Sequence, residues 1–128
     1  MAGARFLTIE QVLALHEAAL ERSGGLAGLR DRGLLEGAVA MPAARFDGKF
    51  LHSGLPAMAA AYLFHITQAH AFIDGNKRVA ALAALVFLDA NGAGLHIRPR
   101  ELEDVVVSVS AGRMSKAELT LWFQRQRR

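Results

Sequence analysis

His70 and Asp74 stand four residues apart in the stretch HAFIDGNKR, residues 70–78, with Gly75, Asn76, Lys77 and Arg78 directly behind them. At that separation a loop can bring a neutral imidazole, able to accept a proton, and a carboxylate to opposite sides of one small pocket. The stretch then opens into an apolar helix. Asp74-Gly75-Asn76 at a helix entry leaves backbone N–H groups without intrahelical partners, and glycine lets a ligand approach the backbone closely. These are the makings of an anion site. Lys77 and Arg78 fall in the first turn, at the positive end of the helix macrodipole, where a cation is disfavoured by a few tenths to about 1 kcal/mol. A phosphate seated on the N–H groups would turn that repulsion into attraction.

Taken singly, each residue has a plainer role. His70 can cap the C-terminal end of the preceding helix, Asp74 can be the N-cap of the next, and Lys77 and Arg78 can be solvated surface residues. Phe72 is an apolar plug that pins the loop to the core under either reading. All of them fall within nine residues between two unusually apolar segments, and this concentration favours a site.

The elements that must position these residues are helical. Thr8 and Gln11 have the form of a capping box, and apolar residues at helical spacing then run to Gly24-Gly25, which places a first helix over about residues 9–23. After the glycine-rich GGLAGLRDRG, Asp31 can cap a short second helix that Pro42 closes. AARFDGKFLHSGLP reads as a long, mobile, exposed loop, in which Asp47-Gly48 could close a small hairpin. Pro56 suits the first turn of a third helix through AMAAAYLFHITQAH, and VAALAALVFLDA forms a fourth that ends at Asn91-Gly92. Both are apolar nearly all round and should form the core, with HAFIDGNKR as their junction. A fifth helix starts at Arg98-Pro99, and a second capping box, Ser115 with Glu118, opens a sixth through KAELTLWFQRQRR. The expected class is all-α, with six helices in a single domain over residues 1–128.

HAFIDGNKR resembles the signature of the Fic/Doc superfamily, His-x-Phe-x-Asp/Glu/Asn-Gly/Ala-Asn-Gly/Lys-Arg, and matches all seven constrained positions. GGLAGLRDRGLLEGAVAMP is similar to the N-terminal segment of the Doc (death-on-curing) branch, and AAAYLFHITQAHAFIDGNKRVAALAALVFLDANG to its central helix pair. The resemblance covers about residues 8–95. It implies a compact helical fold and transfer of part of ATP to a Ser or Thr hydroxyl of a protein. By resemblance, His70 is the general base, Asp74 holds Mg²⁺, Gly75 and Asn76 shape the anion hole, Asn76 also bonds a phosphate oxygen, and Arg78 clamps a phosphate. Ala71 stands where a Pro is frequent, which removes no functional group.

Lys77 separates two branches. AMP-transferring members typically carry Gly there and a second Arg a few residues on, where this chain has Ala81 and Leu82. The Doc branch carries Lys and is understood to bind ATP in the reversed sense, passing on the γ-phosphate. The resemblance therefore implies a kinase-type toxin of a toxin–antitoxin pair, which acts on elongation factor Tu and arrests translation. AMP transfer by a Fic-type enzyme is the alternative. No Ser or Thr has a Glu four residues on, so the inhibitory helix of self-inhibited relatives is missing from this sequence. Inhibition would come from a separate antitoxin whose disordered C-terminal segment folds into a groove.

Composition narrows the classes further. With 128 residues, 52% hydrophobic and 3 Pro, the chain can bury one real core. No apolar run reaches the roughly 18 uncharged residues of a membrane span. The absence of cysteine removes disulfides and thiolate metal sites. No secretory signal is recognisable after Met1, so a cytoplasmic location is expected. A net charge of +3 and the C-terminal WFQRQRR would suit a basic helical nucleic-acid-binding module, but no recognition helix with base-reading residues stands out. An inactive scaffold sits poorly with intact His70 and Asp74. His65 and His70, five residues apart on a helix, do not share a face and make a poor metal pair.

Overall fold

Thr8 opens α1 (Ile9–Ser23) by a reciprocal capping box: its Oγ1 accepts from Gln11 N–H at 3.1 Å, and Gln11 Oε1 accepts from Thr8 N–H at 2.8 Å. Asp31 caps α2 (Arg32–Ala40) through Leu34 N–H, and Pro42 lies in a 3₁₀ turn, Met41–Ala43, that ends the segment. In this computed structural model, which describes residues 3–93 and 95–126, four more helices follow. They are α3 (Leu55–Ala69), α4 (Asn76–Ala90), α5 (Pro99–Ser110) and α6 (Lys116–Arg125). The expected continuation of the last helix into residues 127–128 lies outside the described residues.

The long loop is more ordered than its polarity suggests. Asp47 and Gly48 take φ of 54° and 78°, the two left-handed residues of a tight hairpin turn, and pair β1 (Arg45–Phe46) with antiparallel β2 (Lys49–Phe50). Phe46 at the tip is exposed, whereas His52 is buried, so the far end of the loop is tucked in rather than free.

At the centre stands α3, which touches α2, α4, α5 and α6. Its run Met58–Leu63 is fully buried, and its small residues Ala59, Ala60 and Ala61 match Ala80, Ala83 and Ala84 of α4, which lets two helices pack with little side-chain bulk between them. Tyr62, also fully buried, accepts a hydrogen bond from Leu7 N–H at 2.8 Å and so ties the segment before α1 to the core. One contiguous apolar cluster runs from Leu7 to Phe123. The end of α3 and the start of α4 therefore emerge side by side from a rigid core, joined by residues 70–75. No helix among the described residues is long and apolar enough to cross a membrane.

Candidate active site

The junction is held from both sides. His70, the C-cap of α3, takes the left-handed conformation with φ 48° and ψ 43°, which costs a non-glycine residue about 1–2 kcal/mol. The connection between α1 and α2 holds it there. Arg30 donates from its guanidinium to the His70 carbonyl. The N–H groups of Arg30 and Asp31 both donate to the Ala71 carbonyl, at 2.7 and 3.0 Å, and Ile73 N–H donates to the Gly28 carbonyl at 3.0 Å. Leu29 pairs with Phe72 as an isolated antiparallel bridge, so residues 28–31 form a strap along the loop. Phe72 is buried, as its expected role as a plug requires, and its ring stacks on that of His16 with centroids 3.7 Å apart. Asn76 turns its side chain back on the loop. Its Oδ1 accepts from Phe72 N–H at 3.0 Å and its Nδ2 donates to the Phe72 carbonyl at 2.9 Å.

Asp74 is not the helix N-cap that its position allowed. Gly75, in the left-handed region with φ 80° and ψ 14°, occupies that place, and no side chain caps α4. The reason is that the Asp74 carboxylate is engaged one residue earlier. Its Oδ2 accepts from Leu26 N–H of the α1–α2 connection at 3.1 Å and its Oδ1 from Gly75 N–H at 2.9 Å. The Leu26 bond first, then the Gly75 bond, hold its pKa below the usual carboxylate value, with Arg78 and His16 adding in the same sense. Asp74 is thus an ionised carboxylate at neutral pH. The first bond of α4 runs from Val79 N–H to the Gly75 carbonyl at 3.0 Å, and the amides of Asn76, Lys77 and Arg78 ahead of it have no acceptor among the described residues.

All six residues singled out in the sequence line one cleft of about 380 Å³: His70, Asp74, Gly75, Asn76, Lys77 and Arg78. Ile73 and Ser110, the last residue of α5, complete its wall. Arg78 anchors one nitrogen, Nη1, on the Gly24 carbonyl at 3.1 Å, which fixes the guanidinium at the rim. Lys77 is exposed and makes no hydrogen bond or ion pair among the described residues. His70 also lines a second, more open depression of about 420 Å³ with Arg30, Phe72, Ile73 and Asn76. The imidazole thus stands on the divide between two concavities, one of them rich in anion donors. No three His, Asp or Glu side chains among the described residues converge as a metal cage. His65, on the other hand, points elsewhere and meets Lys116 Nζ at 3.0 Å from its Nε2.

Sequence reasoning missed His16, Arg30 and Ser110. His16 had a signal: it falls between Val12 and Ala19 in the buried stripe of α1, a polar ring where the helical period asks for an apolar side chain. Arg30 lies in the strap, whose likeness to the Doc N-terminal segment was visible but whose contacts were not.

The Fic/DOC family profile matches residues 6–88. A "Protein kinase doc" of Escherichia phage P1 is 36% identical over 111 residues, which span 87% of this chain and 86% of that protein. A "Toxin Doc" of Mycolicibacterium smegmatis is 46% identical over 72 residues, 56% of this chain and 55% of that protein. The profile match contains α1, the strap, the junction and most of α4, and so all of the cleft lining except Ser110.

Proposed function

Because the chain belongs to the Fic/DOC family, we propose that it is a Doc-type toxin that transfers the γ-phosphate of ATP to a Ser or Thr hydroxyl of a protein. The observation that carries this reading is the start of α4: three unpaired amides, an uncapped helix end and the free Lys77 face the same cleft as His70. Phosphate oxygens satisfy those amides and the dipole together, and they supply the negative charge that Lys77 and Arg78 lack.

In the proposed reaction the acceptor hydroxyl approaches from the open depression beside His70. Its oxygen bonds to the γ-phosphorus, the bond from that phosphorus to the β–γ bridging oxygen breaks, ADP leaves, and the hydroxyl proton passes to the His70 imidazole. His70 is held for this role by its backbone, since Arg30 fixes its carbonyl and α3 its position. Asp74 fits a hard divalent cation: it is ionised, and each oxygen accepts only one backbone hydrogen bond. Asp74 would hold Mg²⁺ there, and the ion would supply charge neutralisation for the transferring phosphate. Arg78 presents the remaining face of its fork to phosphate. The Asn76 side chain has a prior engagement with Phe72, so its clearest contribution to the anion is its main-chain N–H.

Lys77 favours transfer of the γ-phosphate over transfer of AMP, because a long side chain stands in the cradle where AMP-transferring relatives typically have Gly. The phage P1 relative named as a protein kinase supports the same choice. By resemblance the acceptor is elongation factor Tu, translation arrest is the outcome, and a separate antitoxin with a disordered segment is the restraint. The test is the intact mass of purified elongation factor Tu after incubation with this protein and Mg·ATP. A gain of one phosphate supports the reading, a gain of one AMP replaces it with nucleotidyl transfer, and an unchanged mass removes this acceptor.

A further inference from the structure

His16 lies on α1, more than 50 residues from the motif in sequence, yet it is buried beneath it. It is 5% exposed, its Nε2 is 2.7 Å from the Asp74 carbonyl oxygen, and its ring lies parallel to that of Phe72, 13° from coplanar. A carbonyl only accepts, so Nε2 carries a proton and donates, which fixes the ring's tautomer when neutral. The peptide between Asp74 and Gly75 is trans, so its N–H points away from its C=O. With the carbonyl drawn towards α1, Gly75 N–H is turned the other way, where it meets Asp74 Oδ1 at 2.9 Å. Rotation of this peptide would release the carboxylate and turn a carbonyl oxygen towards the amides of α4, where it would repel an anion.

We infer that His16 is a positioning residue for the anion-binding turn: by holding the Asp74 carbonyl it sets the Asp74–Gly75 peptide, and through it the carboxylate and the first amides of α4. Glycine at 75 agrees with this. A Cβ there would lie 3.2 Å from His16 Nε2, and the backbone sits at φ 80°, so the ring and the turn are packed directly on one another. A merely space-filling ring would need neither the donor nor the fixed tautomer.

The inference rests on the proposed use of this cleft for Mg·ATP, and its test separates the two. His16→Phe keeps a flat ring on Phe72 and deletes the donor, while His16→Gln keeps a donor of similar reach. Mg·ATP binding is measured by calorimetry and phosphate transfer by the mass of the acceptor, with melting curves alongside. His16→Phe should melt near the wild type yet bind Mg·ATP and transfer phosphate about 10- to 100-fold less well, the usual cost of losing a group that orients a ligand. His16→Gln should recover much of both. Nitrogen chemical shifts of the His16 ring in the unmodified protein should report Nε2–H. Wild-type binding by His16→Phe overturns the inference, as do a Gln variant no better than Phe and an Nδ1–H tautomer. If the wild type binds Mg·ATP without modifying any acceptor, the proposed reaction fails while the binding comparison still decides the role of His16. If the wild type does not bind Mg·ATP at all, the reading of the cleft falls, and the inference with it.

Discussion

At the start of α6, Ser115 Oγ accepts from Glu118 N–H at 3.1 Å and Glu118 Oε1 accepts from Ser115 N–H at 2.9 Å. The Ser115 N–H first, then the Ser115 hydroxyl, hold the Glu118 carboxyl below its usual pKa, and the acid sits at the positive end of the helix dipole. The start of α4 has none of this: a left-handed glycine, no side-chain cap, no acid in the first turn, and Lys77 with Arg78 in its place. The two ends also treat their lysines differently. Lys116 of α6 donates to the His65 ring at 3.0 Å and lies over the Phe64 ring, whereas Lys77 is exposed with no partner among the described residues. One terminus is capped and satisfied within the chain; the other leaves its amides and its lysine free, as the proposed use of the cleft requires. The second can exist because α4 is secured along its length by α3, so its first turn is free of the need for a cap.

The largest effect expected from breaking this contrast lies at the α4 side. His70→Ala should lower phosphate transfer by about a hundred- to ten-thousandfold, the usual cost of removing a general base, because the imidazole is exposed and packs little. Growth arrest on expression should vanish while the melting temperature changes by only a few degrees. A fully toxic variant would remove His70 from the mechanism.

Next in size is Lys77→Gly, which alters the cation that a stability-optimised terminus would not carry. Glycine inside a helix costs about 1 kcal/mol relative to alanine, and loss of the repulsion at the dipole offsets part of that. Denaturant curves should therefore show a loss of no more than about 1 kcal/mol, with phosphate transfer lost. AMP transfer by the variant would assign nucleotide orientation to this side chain. Full retention of phosphate transfer would take away the main physical support for a kinase over an AMP transferase.

The α6 side should respond in the opposite manner. Ser115→Ala deletes a cap that typically contributes about 1 kcal/mol, so stability should fall by that amount with the transfer rate unchanged. A loss of activity at equal stability would show that the two termini are not independent.

Where the sequence was informative, and where it was not, follows the same division. Helix ends set by local chemistry were legible: Thr8 with Gln11, Asp31, Pro56, and Ser115 with Glu118 mark the starts of α1, α2, α3 and α6 within a residue or so of where they lie. Six of the cleft residues were legible because they fall within one nine-residue stretch; Ser110, at the end of α5, was not. Contacts that reach across the chain were not. Nothing local says that the Asp74 carboxylate turns to Leu26 N–H, 48 residues away, instead of capping its own helix. Nor does the spacing tell that the Asn76 amide folds back on Phe72, or that His16 finds the Asp74 carbonyl 58 residues on. Those partners are set by how α1 and the strap pack against the junction, which is a property of the whole core.

The smallest effect at neutral pH concerns the partnered lysine. His65 is held down to about 4 from an ordinary value of 6.5, first by burial, then by the Lys116 charge and by His52. Burial likewise lowers Lys116, and burial and then Lys116 lower His52. No carboxylate pairs with Lys116 among the described residues, so a proton arriving on His65 would place two cations side by side and remove the lone pair that accepts from Lys116. The sign follows from linkage. A histidine whose folded value is depressed binds its proton more readily when unfolded, so its contribution to stability is intact above about 6.5 and is lost as the pH falls towards 4. Melting temperature should accordingly be flat near neutrality and decline across that window. His65→Gln keeps an acceptor for Lys116 without titrating, and should make the decline shallower, leaving the part due to His52. Phosphate transfer at neutral pH should not change, because the lysine assigned to the proposed reaction is Lys77, on the other terminus. A variant whose acid decline matches the wild type would show that the Lys116–His65 contact carries no proton-linked stability, and the contrast between the two lysines would then rest on geometry alone.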